Sequence, residues 1–242
     1  MNWSQRERPG PMGVASASTA ASPARAPQGG SPAGGSDSPS APVRRVSNGL
    51  KELLYSIEGG ERGEVLDLSP ISQATVDFFT SRGFRLHSHD LLRSWREFLS
   101  EELERPARGA ARPPEESEDL AMRPARFFAR YLWFEPRKFD GVLLWDSLDY
   151  LDASTGSALV ARLGEILRPG GAVLLHLHDK TPDRFWRCRV LDAQTLECVP
   201  ATAPVIFQRP IPNREVMNLF HDFRTSKTFV GRDQIREVLF LR

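Results

Sequence analysis

Residues 139–178 constrain the fold of this chain more than any other stretch. The runs at 142–145 (VLLW) and 172–175 (AVLL) are short and nearly continuous in apolar residues, the pattern of strands covered on both faces in a parallel sheet. Between them Ala158, Leu159, Ala161, Leu163, Ile166 and Leu167 recur at helical spacing, Ser154 or Thr155 stands ready as N-cap, and Pro169-Gly170-Gly171 stops the helix. Parallel neighbours need a crossover connection, and one helix supplies it. The block predicts a βαβ unit and an α/β fold.

The flanking segments extend this pattern. Residues 63–79 read as strand, tight turn and helix, with Ser69 or Ser72 accepting backbone N–H groups at the helix start, Val76 and Phe79 packing inward and Gly83 closing it. A second strand follows in 84–90 (FRLHSHD), ending at Asp90, which suits a helix cap for the segment beginning at Leu91. Residues 104–120 form a polar, proline-broken loop, and 122–131 a helix. Towards the C-terminus the sequence predicts a hairpin of 185–190 and 196–199 and a helix over 213–220 capped by Asn213. A strand at 226–230 that stops at Gly231 and a closing strand at 237–241 follow.

Phe139-Asp140, the Leu148-Asp-Tyr-Leu151 segment and the Leu167-Arg-Pro-Gly-Gly171 turn, at this spacing, resemble the second half of class I S-adenosylmethionine-dependent methyltransferases. The resemblance covers roughly residues 48–242, with motifs in three short blocks. It implies a Rossmann-like methyltransferase fold, a mostly parallel doubly wound sheet with an antiparallel C-terminal edge, and S-adenosylmethionine as cofactor. The family's cofactor loop follows a pattern near VLDLGCGTG. Here Val65, Leu66, Asp67 and Leu68 fit, but the three glycines fall on Ser69, Ile71 and Gln73. Ser69 is a small replacement, whereas Ile71 and Gln73 bring long side chains to where backbone is expected to approach the ligand. Asp90, at the end of the second strand, matches the acidic residue that bonds the ribose hydroxyls. The implied cofactor-binding set is Asp67, Ser69, Ser72, Asp90 and Trp145. No strand-like run in 104–120 offers an adenine contact. Residues 145–148 lack the Asn/Asp-Pro-Pro-aromatic pattern of enzymes that methylate bases or glutamine, and the Leu148-Asp-Tyr-Leu151 form instead resembles the small-molecule, lipid or natural-product branch, which implies a small-molecule or lipid-like acceptor.

Methyl transfer needs a base only where the acceptor must lose a proton. Asp146 follows the 142–145 strand at the end where open α/β sheets place ligands, and His176 and His178 share one face of the next strand. These three are the catalytic candidates. The competing reading makes Asp146 and Asp149 exposed or capping carboxylates, and the two histidines strand-end groups bonded to backbone or water. At the level of the whole protein, the missing glycines favour an alternative, a catalytically inactive methyltransferase-like scaffold with a protein partner.

Composition limits what else the chain does. Residues 1–45 are dominated by Ala, Ser, Pro and Gly and are expected to be a disordered tail before a domain at 46–242. The tail has no continuous apolar core of a secretory signal, no run approaches a bilayer span, and a cytoplasmic protein is expected. A net charge of +1 gives no general case for nucleic acid. Arg123, Arg126 and Arg130 read as a solvated helix face, and His87 and His89, without Cys or carboxylates nearby, as no metal site. Cys188 and Cys198 flank the hairpin turn and are expected to be reduced thiols. Leu50, Leu53, Leu54 and Ile57 mark a helix that serves as a substrate lid or as plain core packing.

Overall fold

The structure is a computed structural model that describes residues 41–59, 63–104, 113–231 and 233–242. Residues 1–40 of the expected tail and 105–112 of the expected polar loop lie outside the described residues. Strand β1 (Val43–Val46) already belongs to the folded part, its first three residues falling inside the tail as composition bounds it. The elements that follow are α1 (Asn48–Ile57), β2 (Glu64–Asp67), α2 (Gln73–Ser81), β3 (Arg85–Ser88), α3 (Leu91–Glu104) and α4 (Pro113–Tyr131). Then come β4 (Phe139–Trp145), α5 (Ala153–Ile166), β5 (Leu167–His178), β6 (Phe185–Val190), β7 (Thr195–Ala201), α6 (Asn213–Leu219), β8 (Thr225–Val230) and β9 (Ile235–Leu241). Helix α4 starts well before the expected residue 122, with Pro113 and Pro114 in its first turn, where the missing N–H costs nothing.

Six strands form the main sheet in the order β3-β2-β4-β5-β9-β8. The first four are mutually parallel, β9 runs antiparallel to β5, and β8 antiparallel to β9. This is the Rossmann-like methyltransferase arrangement expected from the sequence, with the strand order reversing between β2 and β4. Alternation along each strand divides the core. Leu66, Val142, Leu144, Val173 and Leu175 face α3, α4, α5 and α6. Val65, Leu143, Leu174 and Leu239 face α1 and α2. The 50–57 segment is therefore core packing and no lid: Leu50, Leu53, Leu54 and Ile57 are buried against the sheet, and Ser47 caps α1 by accepting from Leu50 N at 2.9 Å.

The motif residues have structural work of their own. Asp140 accepts from Glu64 N at 2.7 Å and from Arg168 Nη1 at 2.8 Å, so one carboxylate joins β2, β4 and the entry to β5. Helix α5 ends at Ile166, and Pro169-Gly170-Gly171 lies inside β5 instead of terminating the helix; Gly170 takes φ 84 and β5 regains its register with β4 at Ala172. The N-cap of α5 is Asp152, which accepts from Thr155 N at 3.0 Å, in place of Ser154 or Thr155. Pro212, not Asn213, precedes α6 as its cap.

The hairpin forms as predicted, but away from the main sheet. Strands β6 and β7 do not extend the main sheet; with β1 they form a separate three-stranded sheet in the order β1-β7-β6. It docks on the α2 side, where Val190 N donates to Thr75 Oγ1 at 3.1 Å and Val190, Leu196 and Cys198 enter the core. Cys188 and Cys198 are direct cross-strand partners with Cα atoms 4.1 Å apart and are joined as a disulfide, contrary to the expectation of two thiols. Pairing directly across a ladder brings side chains within bonding reach, which spacing in the sequence does not reveal.

A Cβ at Gly171 would lie 2.9 Å from the Arg168 carbonyl oxygen and 3.0 Å from that of Asp140. Backbone cannot yield there as a side chain would. Gly171→Ala is expected to destabilise the protein by about 1–3 kcal/mol, read as a lowered midpoint in thermal denaturation. An unchanged midpoint would contradict the close approach.

Candidate functional site

Open α/β sheets bind ligands beyond the carboxyl ends of their strands where the strand order reverses. In this chain that point lies between β2, which ends at Asp67, and β4, which ends at Trp145. The Trp145 indole Nε1 donates to Asp67 Oδ1 at 2.7 Å, bridging the two strand ends. The same carboxylate oxygen accepts from Ser69 N at 3.0 Å and Ser69 Oγ at 2.7 Å. Burial pushes Asp67 up to about 6, against the opposing hydrogen bonds of Trp145 and Ser69. Trp145 has φ 54, a left-handed backbone that is costly for a bulky residue and marks a place held by its surroundings. Ser88 Oγ donates to Ser69 O at 3.0 Å and His89 N to Asp67 O at 2.8 Å, fastening the loop after β2 to the end of β3.

The loop that replaces the glycines does not fill this space with its long side chains. Ile71 is 76% exposed, and the Gln73 amide turns along α2 to Asp77 at 2.7 Å. Ser72 is the N-cap residue of α2 but makes no side-chain cap bond, and Ser69 is committed to Asp67, so neither serine caps the helix as predicted. Inward packing from α2 comes from Phe78 and Phe79, with Val76 only half-buried. Asp90 caps α3, accepting from Arg93 N at 3.2 Å, and also borders a narrow cavity of about 30 Å³. Ser69, Pro70, Asp146 and Trp145 line that cavity from the main sheet, and Trp186 and Cys188 from the β6–β7 hairpin.

Next to it, sharing Trp145, Asp146, Trp186 and Cys188, is a larger cavity of about 190 Å³ between the ends of β4 and β5 and the small sheet. All three catalytic candidates, Asp146, His176 and His178, border it. Asp146 is half-buried, its open surface facing these cavities, and the surrounding protein pushes its carboxyl up to about 6. His178 Nδ1 lies 2.9 Å from Asp149 Oδ2, which also accepts from His178 N at 2.9 Å. Burial alone would lower the His178 pKa; the hydrogen bond with Asp149 and the charges of Asp146 and Asp149 outweigh it and leave it raised. His176 is held well below its ordinary value, chiefly by burial and then by Arg45 and His178, and is a neutral imidazole.

Asp149 is fully buried, so the reading of Asp146 and Asp149 as exposed or simple capping carboxylates is corrected, as is the reading of His178 as a histidine bonded only to backbone or water. Three members of the site were not foreseen. Arg45, on β1, pairs with Glu237 Oε1 at 3.0 Å and Asp233 Oδ2 at 3.3 Å; Glu237 Oε2 in turn accepts from Gly49 N at 2.7 Å; and Trp186 walls both cavities. Their partners lie far away in the sequence, and no local pattern could have pointed to them. Elsewhere, His87 Nε2 bonds Glu64 at 2.9 Å, while Arg126 and Arg130 pair with Glu102 and Glu101 of α3, ion pairs between two helices.

No family model and no curated protein matches the sequence. Among solved structures similar to the chain is 1,6-didemethyltoxoflavin-N1-methyltransferase from Burkholderia thailandensis, which holds 1,6-didemethyltoxoflavin and S-adenosylhomocysteine: 16% identity, 80% of this chain, 76% of that one, TM-score 0.43. A SAM-dependent methyltransferase from Methanosarcina mazei is similar at 14% identity, 76% and 94% coverage and TM-score 0.40. The glycopeptide N-methyltransferase MtfA, complexed with S-adenosylmethionine, is similar at 18% identity, 80% and 94% coverage and TM-score 0.38. No residue role passes from these proteins to this chain. Among the described residues, no helix is long and apolar enough to cross a membrane.

Two measurements test the electrostatics. In Asp149→Asn the carboxylate that does most to raise His178 is gone while the amide oxygen still accepts; the His178 titration followed by NMR is expected to fall, with burial then opposed only by Asp146. An unmoved titration would contradict the assigned cause. Asp146 holds its proton more firmly folded than unfolded, since 3.8 is raised to about 6. Its contribution to stability is therefore present below the unfolded value and lost as pH rises through about 6. Asp146→Asn should be more stable than the parent at about pH 8, with the difference gone below about pH 4; denaturant melts across that range would show it, and a pH-independent difference would refute it.

Proposed function

We propose that this protein is a divergent class I methyltransferase that transfers a methyl group from S-adenosylmethionine to a small-molecule acceptor. The observation that carries this reading is the juxtaposition of two cavities at the strand-order reversal. One borders Asp90 and the loop after β2, the other borders His176 and His178, and they meet at Trp145 and Asp146.

The donor set suits the cofactor's polar ends. The Asp90 carboxylate serves the ribose hydroxyls, and the N-terminus of α2, whose cap residue Ser72 leaves the first-turn N–H groups without a side-chain partner, serves the carboxylate. Space is the constraint. A cavity of about 30 Å³ holds roughly one water, so the cofactor requires the β6–β7 hairpin to move away from Ser69 and Asp90. When bound, S-adenosylmethionine supplies an electrophilic methyl group. Asp146, near neutrality in its pKa, takes the acceptor's proton, and His178, oriented by Asp149, steadies the resulting charge balance. Trp145 and Trp186 exclude water from the acceptor.

The narrow cleft also favours a second reading, a cofactor-free protein that binds a ligand or a protein partner on the methyltransferase fold. Under this second reading the segment that precedes β1 is proposed as a tether.

Calorimetric titration of the full chain with S-adenosylmethionine and S-adenosylhomocysteine separates the two. The transferase reading expects micromolar binding, weakened about 10–100-fold in Asp90→Asn, which retains the helix cap but loses the charged acceptor. No heat at about millimolar ligand, an affinity weaker than about 4 kcal/mol, would leave the second reading.

A further inference from the structure

Strand β6 is the outer strand of the small sheet, and β7 is its ladder partner. The two halves of β6 are held unequally. Towards the turn, Val190 and Leu196 enter the core, Val190 N donates to Thr75 Oγ1, and Arg189 pairs with Glu197. Towards the open end, Phe185, Trp186 and Cys188 line the narrow cavity beside Asp90. There Phe185 sets its ring against Tyr150 with centroids 5.3 Å apart, Trp186 is only half-buried, and among the described residues no ion pair joins 185–187 to β7.

The Cys188–Cys198 bridge sits at the boundary between these halves. Leu191 N donates to Thr195 O. The ladder alternates from that hydrogen-bonded pair, so Cys188 with Cys198, like Trp186 with Pro200, falls on a non-hydrogen-bonded position. Their Cα separation of 4.1 Å belongs to the same class. Backbone bonds do not join the strands at this position, and the sulfur bridge is the covalent tie between the cleft wall and β7. The two cysteines also differ in access. Cys188 is half-buried and borders both cavities, whereas Cys198 is 6% exposed and borders the larger one alone.

We propose that the Cys188–Cys198 bridge is a thiol-exchange site, whose reduction by a low-molecular-weight dithiol releases residues 185–188 from β7 and uncovers the cleft between Ser69 and Asp90. A thiolate of the dithiol attacks Sγ of Cys188, the more open of the two; the bond between the cysteines breaks, and Cys198 leaves as a thiolate that takes up a proton. The second thiol of the reductant then attacks the mixed disulfide and closes a cyclic disulfide, and Cys188 leaves as the second thiol. Two electrons and two protons have passed from the dithiol to the protein. The bridge spans a sequence separation of 10, so its loss frees little chain, and the turn half of the hairpin keeps its own bonds. Reduction is thus a local opening and not an unfolding. Its consequence for the cofactor rests on the transferase reading above; the exchange site itself does not.

The test compares the full chain in its oxidised form and in about 5 mM dithiothreitol. Thiol titration without denaturant, hydrogen–deuterium exchange and calorimetry with S-adenosylhomocysteine are the readouts. Both cysteines are expected to titrate after reduction. Exchange in 185–188 should rise at least about 10-fold while β4 and β5 keep their protection. S-adenosylhomocysteine should bind at least about 10-fold tighter to the reduced chain, as the open form becomes the populated one. The double variant Cys188→Ser with Cys198→Ser should match the reduced chain and ignore dithiothreitol; if it does not fold, the two redox states of the parent decide the matter. A bridge that resists dithiothreitol in the folded protein, unchanged exchange in 185–188, or an equal loss of protection in β4 and β5 would overturn the proposal. Equal S-adenosylhomocysteine affinity in both states would overturn the control of the cleft and leave the transferase reading intact. Faster exchange in 185–188 with no S-adenosylhomocysteine binding in either state would uphold the exchange site and contradict the transferase reading instead.

Discussion

The hydrogen bond from the Trp145 indole to Asp67 joins the carboxyl ends of the two strands between which the strand order reverses, and most features of the site depend on it. It fixes the indole between the two cavities, despite a left-handed backbone at Trp145. It also engages the carboxylate that holds Ser69, and through Ser69 the loop after β2 is fastened to Ser88. Remove that donor, and a buried carboxylate already pushed up by its surroundings loses one of the interactions that favour its charged form. The loop without glycines is thereby held by side chains, with Ile71 turned outward and Gln73 turned along its own helix.

The parts of the fold visible in the sequence are those set by local periodicity. The continuous apolar runs in β4 and β5 identified a buried parallel pair, and the helical spacing between them identified α5. Errors at that level were in boundaries, as when Asp152 took the cap assigned to Ser154 or Thr155 and α4 began at Pro113. What escaped was pairing over long separations. The short β1 sequence VRRV sits at the end of an Ala-, Ser-, Pro- and Gly-rich stretch and carries no strand signature, yet it finds β7 and brings Arg45 to Glu237 across 192 positions. The hairpin was legible as a hairpin, but its departure from the main sheet was not, because nothing in alternating residues says which sheet they join.

The candidate site divides in the same way. Asp146, His176 and His178 were found from their position at strand ends and do border one cavity. Their chemistry was not legible, since it comes from Asp149, Arg45 and Glu237, whose burial and pairing are tertiary facts. The small sheet is the element that turns these strand ends into an enclosed space. It brings Trp186 and the disulfide-bonded pair over both cavities and leaves the cleft beside Asp90 too narrow for a nucleoside until it moves. On the proposed transferase reading, the hairpin is the element that has to move for the cofactor to enter.

Hydrogen–deuterium exchange of the full chain with and without S-adenosylhomocysteine tests this account most directly. It predicts increased protection in the loop after β2 and at the start of α3, around Ser69 and Asp90, together with changed exchange in β6, as the hairpin gives way and the cofactor takes its place. Exchange unaltered in all three segments at saturating ligand would contradict it.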